Sequence, residues 1–150
     1  TDLPYFSPDR FIDLHHFVEI KPAVNQIETH IFQQQKEAKK YLEKYECQIE
    51  SWGPFAEGRN DFFNTPLLKE IGEKYGKSVA QVALRFLLQS DVVVIPKSVR
   101  KERMLENFTI FDFELTEDEM KSIEGLDQEK SLFFDHQDPE TAEFFMTLIK

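Results

Sequence analysis

A single cysteine is present among the 150 residues, which excludes an intrachain disulfide and a zinc site built from several thiolates. No apolar run is long enough to cross a bilayer. The chain also lacks a leader in which positive charge precedes an apolar stretch. We therefore expect a cytoplasmic protein without a membrane span, and the first residue, Thr1 rather than methionine, suggests a piece of a longer protein.

Glycine is scarce, with five residues, and neither a flexible linker nor an internal repeat is visible, so residues 1–150 are expected to form one domain. Basic residues are also in deficit. The 18 lysines and arginines face 28 acidic residues, which gives a net charge of −10. Such a surface repels phosphate backbones and excludes general nucleic-acid binding. The 41% hydrophobic content, with 15 phenylalanines, is typical of a globular protein.

Strands and helices alternate along the chain, which predicts an α/β protein with parallel strands. Strands are predicted over 23–27, 47–52 and 92–95, the last being a β-branched run typical of a buried parallel strand. Helix starts are predicted after the caps Ser7, Thr65, Ser78 and Thr116, and further helices over 33–46, 100–108 and 139–149. Three parallel strands leave two open edges, which indicates part of a larger barrel.

The segment IPKSVRKER, residues 95–103, is the most informative. Four basic residues and one acidic residue lie at the start of a helix, where the helix dipole disfavours cations by a few tenths to about 1 kcal/mol each. An anion such as phosphate, bound by Lys97, Arg100, Arg103 and free backbone amides, would reverse this repulsion. The alternative is an exposed basic patch paired with acids such as Glu106.

Three segments carry a family resemblance: PAVNQIETH (22–30), ESWGPFAEG (50–58) and IPKSVRKERMLENFTIFDFELTEDEM (95–120). They resemble the aldo/keto reductase family, and ESWGPFAEG is similar to its bacterial diketogluconate-reductase branch. The resemblance covers nearly the whole chain but only the C-terminal half of that family's (β/α)8 barrel. It implies a half-barrel with a C-terminal tail over 128–150, and a reductase of aldehydes and ketones that uses NADPH.

The resemblance also implies a dinucleotide site. Gln26 would bind the nicotinamide carboxamide, and Trp52 would stack on the nicotinamide ring. The implied contacts along the pyrophosphate are Gly53, Pro54, Phe55 and Glu57. The implied contacts around the adenosine 2′-phosphate are Lys97, Ser98, Val99, Arg100 and Arg103, with Glu106 and Asn107 near the adenine. The anion site argued from charge and this 2′-phosphate site coincide, at a strand end where barrels often bind phosphate.

Two departures from the family pattern bear on activity. The family's catalytic Asp, Tyr, Lys and His belong to the first half of the barrel, so no catalytic residue can be assigned in this chain. Where the family has a Ser-Asn pair that contacts the carboxamide, this chain has Pro4 and Tyr5 followed by Phe6. Either that contact is lost or the first residues follow a different course.

The remaining reactive side chains favour structural roles. The histidines are His15, His16, His30 and His136, whose spacing lacks a metal-binding motif, so we expect no metal. His30 would either line the pocket mouth or be a simple loop residue. Cys47 is expected to be a buried core thiol. The tail aromatics Phe133, Phe134, Phe144 and Phe145 would form a partner surface, pack against the barrel or overhang the pocket.

Two functional hypotheses follow. In the first, the chain is the cofactor-binding half of an NADPH-dependent aldo/keto reductase that acts on a small carbonyl compound. In the second, it is a non-catalytic half-barrel that binds nucleotides or associates with itself. Unpaired strand edges imply, in both cases, self-association or pairing with a missing N-terminal half.

Overall fold

The computed structural model describes residues 2–4, 7–134 and 138–148. The strands are β1 (Asp2–Pro4), β2 (Val24–Glu28), β3 (Gln48–Trp52) and β4 (Val93–Val94). The helices are α1 (Pro8–Phe17), α2 (Lys36–Lys44), α3 (Pro66–Tyr75), α4 (Val79–Gln89), α5 (Lys101–Phe108), α6 (Glu117–Glu124) and α7 (Pro139–Thr147), with a 3-10 segment at Ala56–Asn64. Tyr5, Phe6 and His136, which were named above, and residue 149 of the last predicted helix lie outside the described residues.

All four strands are parallel, and their order in the sheet is their order in the chain, β1-β2-β3-β4. Within the described ranges the sheet does not close into a barrel. The predicted class, half of a barrel with about three parallel strands, is confirmed, and the structure adds one short strand, β1, to the three that were predicted. Strand β1 was missed because three residues that end in proline show no alternating pattern; it pairs Asp2 with Val24 and Pro4 with Gln26.

The two faces of the sheet differ in burial. One face packs against the helices, where Ile27, Ile49 and Val92 are at most 3% exposed. The other face, called here the inner face, carries Gln26 opposite Glu50 and Glu28 opposite Trp52. Towards β4 this inner face is open, and Val93 is 43% exposed. The open inner face is the side on which a complete barrel would continue.

The predicted helix starts agree with the structure. Ser78 and Thr116 both form capping boxes, with Gln81 and Glu119 as the third residues of their helices. Glu119 also accepts a hydrogen bond from the Tyr75 hydroxyl at 2.7 Å, which joins α6 to α3. The capping boxes therefore fix the starts of α4 and α6, and the Tyr75 hydrogen bond fixes α6 to α3.

Cys47 belongs to the hydrophobic core, as predicted, and is 4% exposed. Burial raises the pKa of its thiol to about 11, so the thiolate that reacts as a nucleophile is rare at neutral pH. Each helix within the described ranges is too short or too polar to serve as a membrane span.

Candidate functional site

A cavity of about 490 Å³ opens beyond the carboxyl ends of β3 and β4. Three segments supply its lining: the loop after β3, the first turn of α4 and the segment after β4. The lining residues are Phe55, Glu57, Gly58, Phe63, Ser78, Val79, Ala80, Lys97, Ser98, Arg103, Glu106 and Asn107. The loop after β3, residues 53–64, is called the pocket loop below. The two segments predicted to bind the pyrophosphate and the 2′-phosphate thus meet at one cavity.

The basic residues of the segment 95–103 have no acidic partner among the residues that the structure describes. Within the described part of the chain, no carboxylate forms an ion pair with Lys97, Arg100 or Arg103. The alternative of a patch neutralised by Glu106 is therefore not observed. Helix α5 begins at Lys101 after Arg100, and no side chain caps its first turn. Uncompensated cations beside uncapped amides form an environment that favours an anion.

Gln81 positions the part of the cavity wall that the end of α5 supplies. Its side-chain amide donates hydrogen bonds to the carbonyl oxygens of Glu106 at 3.1 Å and Thr109 at 2.9 Å. Gln81 is 8% exposed and belongs to the capping box of α4. This buried amide fixes the end of α5, and with it Glu106 and Asn107, against α4.

The pocket loop has an unusual backbone. Ala56, Glu57, Asn60 and Asp61 all have φ between 49° and 54°, in the left-handed region that disfavours side chains. Phe62 is fully buried, and its ring meets the rings of Phe32, Phe55 and Phe63 at centroid distances of 5.4–6.0 Å. Since the local backbone conformation is unfavourable, contacts such as these must hold the loop in place.

Gln26, in the middle of β2, and Trp52, at the end of β3, lie on the inner face and do not line this cavity. The Gln26 amide donates a hydrogen bond to Glu50 Oε1 at 2.6 Å. The Trp52 ring is half-buried and meets the Phe133 ring at 4.8 Å between centroids. These two residues form a second part of the candidate site.

Four other predicted residues do not line the cavity. Gly53 and Pro54 connect Trp52 to the cavity wall, and Gly53 has a φ of 66° that favours glycine. Val99 is 83% exposed, and Arg100 is an exposed cap residue before α5. Among the five residues predicted around the 2′-phosphate, only Lys97, Ser98 and Arg103 therefore reach the cavity.

A buried cluster around Glu28 was missed. Glu28 is 3% exposed and accepts hydrogen bonds from His30 Nε2 at 2.9 Å, from the Leu132 amide at 2.9 Å and from the Ser131 hydroxyl. Burial raises the pKa of this carboxyl, but the hydrogen bonds outweigh burial and leave the pKa below its usual range. His30 lies in the connection after β2 and is fully buried, so it does not line the pocket mouth. No local pattern could have revealed partners that are 103 residues apart in the sequence.

The match to known proteins agrees with this geometry. The model of the aldo/keto reductase family matches residues 6–128. The chain is 45% identical over 112 residues to glyoxal reductase of Bacillus subtilis (strain 168), covering 75% of this chain and 40% of that protein. It is 42% identical over 113 residues to methylglyoxal reductase DkgA of Escherichia coli (strain K12), covering 75% of this chain and 41% of that protein.

Solved structures give the same answer for the fold. A crystal structure of a Gox0644 mutant in complex with NADPH superposes with a TM-score of 0.82 at 33% identity. The superposition covers 88% of this chain and 48% of that one. The chain thus spans about two fifths of the curated relatives it matches and half of this structural neighbour. By the family match, the identities and the shared fold, the chain belongs to the aldo/keto reductase family.

Proposed function

We propose that this chain is the NADPH-binding half of a reductase that converts aldehydes or ketones to alcohols. The observation that carries the proposal is the cavity in which Lys97, Ser98 and Arg103 face the pocket loop, with no ion pair from a described carboxylate to either cation. The complex of the Gox0644 mutant with NADPH supports the choice of dinucleotide.

The cavity residues fit the adenosine end of such a cofactor. The two cationic side chains and the Ser98 hydroxyl are donors for a doubly charged 2′-phosphate. The volume of about 490 Å³ lies within the range of small-molecule sites, and Phe55 and Phe63 give it apolar surface. Glu106 and Asn107 add polar groups that could bind an adenine edge.

The inner face of the sheet offers groups that could bind the nicotinamide end of the cofactor. Trp52 offers an aromatic surface, and Gln26 offers an amide on the same face of the sheet. When bound, NADPH supplies the hydride that the carbonyl carbon accepts. The residues of this chain bind and orient the dinucleotide, and we assign no proton donor to them.

One observation favours the second candidate, a self-associating half-barrel. Helix α5 has no buried residue, and the exposed apolar side chains in and next to it include Val99 (83%), Leu105 (67%), Phe108 (73%) and Phe111 (64%). The ring centroids of Phe108 and Phe111 lie 5.8 Å apart. Exposed apolar side chains of this kind are typical of an interaction surface.

The proposed function predicts that a chimaera is active and that the chain alone is not. Joined in one polypeptide to the first half of methylglyoxal reductase DkgA, this chain should oxidise NADPH when a reactive aldehyde is added. The isolated chain should bind NADPH without consuming it, because the family's catalytic residues belong to the first half of the barrel. Absorbance of NADPH at 340 nm measures turnover, and energy transfer from Trp52 measures binding.

The outcomes separate the two candidates. Binding of NADPH by the isolated chain together with an inactive, folded chimaera would support a non-catalytic module. No binding at millimolar NADPH would contradict the proposed cofactor. Turnover by the isolated chain would show that the chain contains a proton donor and that the assignment of the catalytic residues to the first half of the barrel is wrong.

The exposed apolar surface predicts that the isolated chain self-associates. Burial of a large apolar side chain contributes about 1.5–3 kcal/mol, so dimers or larger species are expected in sedimentation velocity at micromolar concentration. Phe108→Glu should shift the distribution towards monomer. Phe17→Glu, at an 84% exposed position on α1, is the matched control and should change little. A compact wild-type monomer with a cooperative melting transition would contradict the prediction.

A further inference from the structure

The segment 131–134, called here the strap, is anchored at a buried carboxylate. Glu28, at the end of β2, accepts hydrogen bonds from the Ser131 hydroxyl and the Leu132 amide. His30 completes the anchor: its Nδ1 accepts a hydrogen bond from the Phe32 amide at 3.2 Å, so its proton is on Nε2 and is donated to Glu28. Three donors thus converge on a carboxylate that is 3% exposed.

The strap is folded on itself by the same serine. Ser131 Oγ accepts hydrogen bonds from the amides of Phe133 at 3.0 Å and Phe134 at 3.1 Å. This turn places the Phe133 ring against the Trp52 ring, with 4.8 Å between their centroids. The Cζ atom of Phe133 lies 3.6 Å from the position that a Cβ atom on Gly53 would occupy. The strap therefore lies across the start of the pocket loop.

Arg59 joins the middle of the pocket loop to the strap. Its guanidinium donates a hydrogen bond to the Leu132 carbonyl oxygen at 2.6 Å and lies 4.2 Å from the centre of the Phe133 ring. On either side of Arg59, Glu57, Gly58, Asn60 and Asp61 have positive φ values. A backbone in these conformations persists only where surrounding contacts hold it.

We infer that the strap positions the pocket loop, through Arg59 and Phe133, and that Glu28 and Ser131 hold the strap in place. Phe55, Glu57, Gly58 and Phe63 of that loop line the cavity. Release of the strap would free one wall of the cavity while leaving its basic residues untouched. The importance of this wall for a dinucleotide rests on the proposed function, whereas the link between strap and loop does not.

Limited proteolysis with trypsin tests the link directly. Ser131→Ala removes the donor to Glu28 and the acceptor for two strap amides. Cleavage after Arg59, in the loop, and after Lys130, beside the strap, should each become at least threefold faster, because trypsin cuts segments that open locally. Ser122→Ala removes an exposed serine whose hydroxyl bonds only within α6, and it should leave both rates unchanged. Ser131→Thr, which keeps the hydroxyl, should restore them.

Quenching of Trp52 by acrylamide provides a second measurement, since it is the only tryptophan. Ser131→Ala and Arg59→Ala should each raise the quenching constant at least twofold, with circular dichroism unchanged. Unchanged quenching and unchanged cleavage after Arg59 in both folded variants would overturn the inference. Neither measurement needs a cofactor. Failure of NADPH to bind would contradict the proposed function, but it would not affect the test of the link between strap and loop.

Discussion

NADPH is expected to bind this chain at least tenfold more tightly than NADH, a difference of about 1.4 kcal/mol. The two dinucleotides differ at the adenosine ribose, where NADPH carries a phosphate and NADH a hydroxyl. Lys97 and Arg103 at the cavity form no ion pair with a carboxylate in the described ranges, so the phosphate would gain charge-assisted hydrogen bonds, typically about 1.5–3 kcal/mol each. NADH would leave the cations facing each other. Isothermal titration with both dinucleotides measures the ratio, which should fall as salt is added.

Three variants localise the preference. Arg103→Ala should weaken NADPH far more than NADH, because it removes a phosphate donor. Trp52→Ala should weaken both about equally, because both carry the same nicotinamide. Lys101→Ala, an exposed cation on α5 that does not line the cavity, is the matched control and should alter neither affinity strongly. Equal wild-type affinities, or equal losses in Arg103→Ala, would show that the basic segment does not bind the 2′-phosphate.

Phe62→Ala is expected to lower the free energy of unfolding by about 3–5 kcal/mol. Phe62 is fully buried between the core and the pocket loop, and three phenylalanine rings surround it. Its removal leaves a cavity and detaches the loop from the core. For a chain of this size the melting temperature should fall by roughly 10 °C. Urea unfolding at fixed protein concentration measures the change.

The neighbouring residue supplies the control for this prediction. Phe63 is 47% exposed and lines the cavity. Phe63→Ala should cost no more than about 1 kcal/mol, because little apolar area is lost from the core. Similar losses for the two substitutions would mean that Phe62 does not anchor the loop to the core.

The features that were predictable from the sequence are those with a local chemical signature. The capping boxes at Ser78 and Thr116 join groups three residues apart, and the β-branched run at 92–95 marks its strand without any knowledge of the sheet. The charge argument for Lys97 and Arg103 required only a strand followed by a helix. It identified two of the cavity residues before the fold was known.

The features that were missed depend on contacts between distant residues. Glu28 and His30 carry no local sequence signature of their buried cluster, because the strap residues that bind Glu28 lie more than 100 residues away. Strand β1 is identified only by its pairing with β2. The left-handed residues of the pocket loop are set by packing around Phe62 and Arg59, which local propensity does not contain.

The sequential order of the four strands has a consequence for how the chain folds. Each of β2, β3 and β4 pairs with the strand synthesised just before it, so its pairing partner is already present when it leaves the ribosome. Pairing among these four strands therefore requires no strand that is synthesised later. The half-sheet can therefore form during synthesis, from β1 to β4. The strap is synthesised more than 100 residues after Glu28, so its anchor on β2 is in place before the strap docks.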